Sequence, residues 1–339
     1  MINFNLNFWH KIKHILLASA VSMSVISCGA SIVAAGISGT GIGPGTVFGV
    51  ITGFGSIFVN GVEYEIDNAS FDIDGNTVDN SKPNLGLGIG MVVKLEVDDN
   101  GDGTGVATNV FYDDSIEGPV ASVIADPSGD LNLKQIVVFG QTVIINATTT
   151  TFEGVSFEDD PANLNLPAGV AVGDVVEVSG FLAQDGSILA TRVEKRSSLS
   201  SGNDVEVELR GTISGLTPDV SFSLAGVTIH ITQPFELKDL TALANGQFVE
   251  VKGLYQPDGS VIAQEIELEG DSQDDISNSS GAVSLQGFVT TAFNSSNQKL
   301  AVNAVLVDAS AISSALTSLL VSGLEVEVKG TMKDGELIA

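Results

Sequence analysis

The chain has 339 residues, of which 43% are hydrophobic and 17% charged, and 42 acids against 14 bases give a net charge of −28. Such a composition can bury a substantial core, which argues against wholesale disorder, while the negative charge repels nucleic acid and anionic lipid head groups. With one Cys and three His, catalysis by a Cys or His pair is excluded once the N-terminal segment is taken off.

That segment opens the chain. His10, Lys11, Lys13 and His14 form a basic start, followed by an apolar run from Ile15 to Ile26 and then Val25-Ile26-Ser27-Cys28. The run is too short to span a bilayer and has the layout of a secretory leader. Its end resembles the bacterial lipobox, in which a small residue precedes a cysteine that is acylated and becomes the first residue after cleavage. Residues 1–27 are therefore expected to be a lipoprotein signal peptide, with Cys28 as the lipidation site. The alternative is an ordinary buried cysteine near a cleavage site. Acylation also accounts for a lone Cys in an exported chain, which has no disulfide to make. No Asp or Glu precedes Cys28, so cleavage removes only Lys11 and Lys13 from the charge balance, and the mature chain would carry 12 bases against 42 acids, or −30. It would keep no Trp and one His, His230.

Residues 28–46 read as a Gly-rich tether. Gly39-Thr40-Gly41-Ile42-Gly43 has the glycine spacing of a dinucleotide loop but lacks the strand before and the helix after it that phosphate binding needs. Four copies of one unit follow, expected at 47–114, 115–196, 204–270 and 283–339. Each opens with a glycine-led strand: Gly49-Val50-Ile51-Thr52, Gly118-Pro119-Val120-Ala121, Gly211-Thr212-Ile213-Ser214 and Gly287-Phe288-Val289-Thr290. A second element alternates apolar residues around a small-residue corner, as in Val59-Asn60-Gly61-Val62 and Leu224-Ala225-Gly226-Val227. The third reads G-x-x-V-E-V-x-G at Gly173–Gly180, Gly246–Gly253 and Gly323–Gly330, with a looser form starting at Gly90. Valines two apart with charges between them have the period of a half-buried strand. Asp185-Gly186, Asp258-Gly259 and Asp334-Gly335 then predict hairpins.

Between the third and fourth strands, Glu236–Leu243 and Ala311–Leu316 are expected to form short helices, the first on the spacing of Leu237, Leu240 and Leu243. Five short strands with a helical turn after the third give an all-β chain of tandem five-stranded barrels in the order of the OB-fold. Ser/Asn/Asp/Gly-rich linkers at 197–203 and 271–282 separate units three and four, and none divides units one and two, so the first two are expected to pack as a pair. Unit four stops at Leu337-Ile338-Ala339, short of the strand that follows the hairpin in units two and three. The expectation is a truncated copy of a longer protein, or a barrel completed by a partner strand.

Ile51-Thr52-Gly53-Phe54-Gly55-Ser56-Ile57-Phe58-Val59-Asn60-Gly61-Val62-Glu63-Tyr64, Glu117-Gly118-Pro119-Val120 and Gly173–Gly180 resemble the bacterial lipoproteins built from tandem copies of a small β-rich domain of unknown function. The resemblance covers the mature chain, thinning in unit four. It implies an exported multi-barrel protein of OB-like architecture and supplies no catalytic residues.

Candidate sites are few. Asp98, Asn100 and Asp102, within Asp98-Asp99-Asn100-Gly101-Asp102-Gly103-Thr104, place oxygen ligands at alternate positions before glycine, as in the front half of a Ca2+ loop. The twelfth position, which needs a bidentate carboxylate, is Asn109. The same place carries Asp-Gly in the other units, so the competing reading is a hairpin tip. Phe71-Asp72-Ile73-Asp74-Gly75-Asn76 and Glu158-Asp159-Asp160 read as solvated acidic loops, and His230 as a residue on the outer face of a strand. No cofactor and no catalytic residue is expected. The expected function is that of a non-enzymatic, lipid-anchored scaffold or binding module in the cell envelope. Gly29 after the cysteine favours the outer membrane of a Gram-negative bacterium. Its partners would be the membrane and an unidentified envelope protein or polymer, not nucleic acid. A glycan- or Ca2+-binding surface module is the second reading and a hydrolase the third.

Overall fold

A computed structural model of the chain describes residues 42–78, 86–124, 133–154, 156–159, 167–168, 170–183, 185–198, 205–238, 241–268, 276, 279, 281–303 and 305–339. Unit one contains β1 (Ile42–Gly53), β2 (Ile57–Val59), β3 (Val62–Glu65), β4 (Ser70–Ile73), β5 (Asn76–Val78), β6 (Val92–Asp99) and β7 (Thr104–Tyr112). β1 pairs antiparallel with β2 and with β6, β2 with β3, and β6 with β7, while β3 and β7 run parallel. That circuit is a closed five-stranded barrel in which the fifth strand sits between the third and the fourth. It is the OB-fold order expected above.

The other units repeat it. Unit two has β8 (Ile116–Ile124), β9 (Leu133–Val138), β10 (Gln141–Asn146), β11 (Thr151–Glu153), β12 (Ser156–Asp159), β13 (Pro167–Ala168), β14 (Asp174–Leu182) and β15 (Ile188–Ser198). Unit three has β16 (Val205–Thr212), β17 (Ser214–Thr217), β18 (Ser221–Leu224), β19 (Val227–Lys238), β20 (Phe248–Tyr255) and β21 (Val261–Leu268). Unit four has β22 (Gly281–Asn294), β23 (Lys299–Val302), β24 (Val305–Asp308), the one-turn helix α1 (Ser314–Thr317), β25 (Glu325–Lys333) and β26 (Glu336–Ile338). In each, the parallel pair that closes the barrel is present: β10 with β15, β19 with β21, and β24 with β26.

The glycine that begins the signature has the same job four times. Gly90, Gly173, Gly246 and Gly323 have φ of 92, 90, 90 and 83°, a left-handed conformation that costs a residue with a Cβ. Their amides donate to Ile51, Val120, Ile213 and Val289 carbonyls at 2.8–2.9 Å, which ties the start of the fourth strand to the first. After it, apolar residues alternate inward. Val176, Val178, Val249 and Val251 are fully buried, and the glutamates between them turn to the barrel exterior.

One expectation fails here. Glu236, Leu237 and Lys238 are not helical but belong to β19, where they pair with Glu265, Ile266 and Glu267 of β21. Phe235 and Leu237 pack on the core as strand residues, so tertiary pairing overrides a leucine spacing too short to sustain a helix. Units one and two pack against each other as expected, but neither shares its sheet with the other. β1 runs parallel to β22, with Gly45 through Phe48 opposite Ala282 through Leu285, so units one and four share one sheet. β8 meets β16 at Glu117 opposite Glu208, so units two and three share the other, together with one hydrophobic core. Residues 42–46, read above as tether, begin β1. Units one and two touch across the sheets: the Val92 amide donates to Ser179 Oγ at 2.8 Å, and Arg192 Nη1 to the Ile89 carbonyl at 3.1 Å. Phe181 of unit two lies between Phe48 of unit one and Phe288 of unit four, ring centroids 6.2 and 5.8 Å away.

Candidate functional site

Cys28 lies outside the described residues. Asp98, Asn100 and Asp102 sit together at the exposed tip of the β6–β7 hairpin, where the loop itself uses their neighbours' and their own polar atoms. Asp102 Oδ1 accepts from the Thr104 amide at 3.1 Å and from Thr104 Oγ1 at 2.7 Å, Asn100 Nδ2 donates to Thr104 Oγ1 at 3.0 Å, and the Gly101 amide donates to Asp99 Oδ1 at 2.7 Å. The hydrogen bonds from Thr104 hold the Asp102 carboxyl below the usual range. Asp185 with Ser187 and Asp258 with Ser260 repeat the motif, Oδ1 accepting from amide at 3.0 Å and hydroxyl at 2.6 Å in both. His230 is half-buried on the outer face of β19, between the buried Ile229 and Ile231. The side chains of Glu158, Asp159 and Asp160 lie outside what is described.

The densest chemistry is elsewhere, where units one, two and three meet. Glu177 of β14 stands directly opposite Glu117 of β8, which stands opposite Glu208 of β16, so three adjacent strands carry carboxylates in one row. Buried neighbours, Ile116 beside Glu117, Val176 and Val178 around Glu177, and Val207 and Leu209 around Glu208, fix the row on the outer barrel faces. Like charges directly opposite in a ladder repel. Onto this row folds the β4–β5 turn of unit one, Asp74-Gly75, with both residues at positive φ (51 and 71°). The link between units one and two adds Asp114, whose amide points at Asp74 Oδ1 (3.4 Å). Ser115 pins the link by donating its amide to the Val178 carbonyl at 2.8 Å. Asp114, Glu177 and Glu208 are 2, 5 and 6% exposed.

Cations answer part of this charge. Arg196 Nε lies 3.3 Å from Glu177 Oε2 and 3.9 Å from Glu117 Oε1, and the Tyr112 hydroxyl donates to Glu177 Oε1 at 2.8 Å. On the unit-three side Arg210 grips Glu250 Oε1 at 2.7 Å, and Lys252 Nζ lies 3.1 Å from Glu208 Oε2 and donates to the Asp74 carbonyl at 2.7 Å. Burial, reinforced by the charges of Glu177 and Asp74, pushes the Asp114 carboxyl well up. Burial and the Asp114 charge do the same to Glu208. Burial raises Asp74 to about 6 against the pull of Lys252, and Glu117 to about 7 against Arg196. Glu250, equally buried, is carried down to about 2 by contact with Glu208, Arg210 and Lys252. Two buried carboxylates side by side are thus pushed apart, Glu208 upward and Glu250 downward.

Asp74 is half-buried, with Lys252 of unit three donating to its carbonyl, while Gly75 and Asn76 beyond it are exposed as expected of a loop. Glu177 and Glu250 were visible in the sequence as the outward glutamate of the repeated signature, but the signature gives no hint of which copies are covered by a neighbour. Among the described residues two sets of three carboxylates come within 4.8 Å of one another, Asp74–Asp114–Glu208 and Asp114–Glu117–Glu177, and Asp114 belongs to both.

Comparison with known proteins adds a family and no activity. The family model described as Domain of unknown function (DUF5666) matches three times, at residues 45–110, 117–194 and 210–267. No curated protein matches. Among solved structures, one titled "drosophila Unr CSD456" is similar at 13% identity, covering 69% of this chain and 98% of its own, with a TM-score of 0.18.

Proposed function

Since the chain belongs to the DUF5666 domain family through three tandem copies, we propose that it is a non-enzymatic, lipid-anchored scaffold of the bacterial cell envelope, whose welded barrels present exposed loops to an envelope protein or polymer. The observation that carries this reading is the cross-linking of the units. Sheets shared by units one and four and by two and three, and side-chain contacts between the two sheets, favour one stiff body over beads on a string. A stiff body is what a spacer or presenting platform requires. The non-enzymatic part is supported by the placement of the closely spaced carboxylates, which are shut between barrels rather than ranged along a cleft open to substrate. The address rests on the leader and Cys28, since acyl chains turn marginal membrane affinity into stable anchoring. Gly29 at the next position supports the outer membrane.

The test is Cys28→Ala. Wild type takes up radiolabelled palmitate and stays with carbonate-washed membranes, and the variant does neither. A wild type without label, together with a variant that remains membrane-bound, overturns the anchor.

A further inference from the structure

At the three-unit junction Asp114 Oδ1 is buried and accepts no hydrogen bond. Glu208 Oε1 is likewise buried, with Arg210 Nη2 at 3.5 Å and the Glu250 carboxyl beside it, a contact that is a hydrogen bond only when one of the two carboxyls carries a proton. Native structures seldom leave such atoms empty-handed, because a buried carboxylate oxygen without a partner forfeits its hydration and gains nothing back. Arg196 serves the Glu117–Glu177 side and Lys252 reaches Glu208 Oε2 and the Asp74 carbonyl, while Asp114 Oδ1 accepts no hydrogen bond.

We propose that Asp74, Asp114 and Glu208 bind a divalent cation of calcium size, which pins unit one and the link after it to unit three. The ligand atoms are all carboxylate oxygens, which select a hard cation over zinc or copper. Their spacing fits calcium: oxygens each about 2.4 Å from a common ion are separated by up to about 4.8 Å, and these three lie within 4.8 Å of one another. The ion's two charges offset the like-charge row Glu177, Glu117, Glu208. With 42 acids to 14 bases, the chain as a whole attracts such ions. Asp74 comes from unit one, Asp114 from the link and Glu208 from unit three, so binding reports on the assembled units and not on any one barrel. The site is independent of the proposed address, and Cys28→Ala leaves its affinity unchanged, so failure of either reading is visible separately.

The experiment is calorimetric titration of the full chain, solubilised in detergent and stripped with EDTA, with CaCl2 as the probe and melting temperature as a second readout. Saturable binding is expected, with a melting temperature that rises with Ca2+ concentration, as for any ligand that binds only the folded state. Asp114→Asn and Glu208→Gln each remove a ligand charge and weaken binding by at least about tenfold. Asp102→Asn, at the β6–β7 hairpin tip, leaves the affinity unchanged. If Asp114→Asn does not fold, Glu208→Gln decides. Absence of saturable Ca2+ binding overturns the proposal, and so does binding that survives both junction variants or is lost with Asp102→Asn.

Discussion

Gly253→Ala offers the sharpest test of the barrel register. Gly253 ends the signature of unit three, where β20 and β21 slip against each other: Lys252 faces Glu265 but Gly253 faces Ala263, leaving one extra residue on β21. A β-bulge brings the two backbones close. A Cβ on Gly253 would stand 2.3 Å from the Ile262 carbonyl oxygen and 2.8 Å from Val261 Cγ1. Because the first obstacle is main chain, no rotamer change relieves it, and the ladder around the bulge must open. Overpacking of this kind costs roughly 1–3 kcal/mol, a weakened ladder hydrogen bond adds about 1 kcal/mol, and the stiffer unfolded chain returns about 0.4–1 kcal/mol. The net expectation is a loss of about 1–3.5 kcal/mol. Gly259→Ala, in the hairpin that follows, is the control. It has φ of 88° but its nearest neighbour is Tyr255 Oη at 3.8 Å, so only backbone strain of about 1–2 kcal/mol applies. Urea unfolding of both variants, at fixed Ca2+ or in EDTA throughout, measures the difference. A Gly253→Ala protein within about 0.5 kcal/mol of wild type, or one more stable than Gly259→Ala, would refute the bulge and the strand register with it.

Two further outcomes follow from packing and charge. In EDTA, stability falls as pH rises from about 4 to 7, because Asp74 goes from 3.8 to about 6 and Glu117 from 4.5 to about 7 on folding. The folded chain then holds protons that the unfolded chain releases, at a cost on the order of 3 kcal/mol for such a shift. Glu250, displaced the other way from 4.5 to about 2, supplies stability that disappears as pH falls through that interval, so the optimum lies at about 4. Melting curves that are flat or rise from about pH 4 to 7 contradict this. Phe181→Ala empties the space between Phe48 and Phe288 and costs about 3–5 kcal/mol. A double-mutant cycle with Phe288→Ala measures coupling of about 0.5–1.5 kcal/mol, and additivity within error would mean that units two and four do not pack.

The barrel order was legible because local chemistry repeats with the fold. Asp-Gly marks the last hairpin, and Asn60-Gly61, Phe139-Gly140 and Ala225-Gly226 turn with φ of 53 and 74, 47 and 76, and 49 and 86°, as two-residue hairpins require. The opening glycines were legible as markers but not as a mechanism. A Cβ at Gly49, Gly118 or Gly287 would fall 2.0, 2.2 or 1.8 Å from the side chain of Asn60, Phe139 or Asn303, so the first strand leaves room for the residue that begins its neighbour's turn. The order of the units was hidden for a different reason. Gly45 finds Ala282 and Glu117 finds Glu208 only in three dimensions, and linker composition reports neither pairing.

The signature position occupied by Glu177, Glu250 and Glu327 shows why the junction could not be read from the repeat. In unit one the residue is Lys94, which lies 4.6 Å from the Phe111 ring centroid. In unit four Glu327 is a surface residue that accepts from Ser284 Oγ at 2.9 Å and lies 3.1 Å from Lys329 Nζ. The same outward glutamate becomes a buried charge only in units two and three, where other units close over it. Strand alternation dictates that the side chain leaves its own core, and the arrangement of barrels then dictates whether it reaches water or another carboxylate. The cluster around Asp114 is therefore a property of three units held in one arrangement. A single copy of this domain supplies at most two of the three proposed ligands, so calcium affinity should collapse whenever the contact between units one and three is broken, even with every carboxylate left in place.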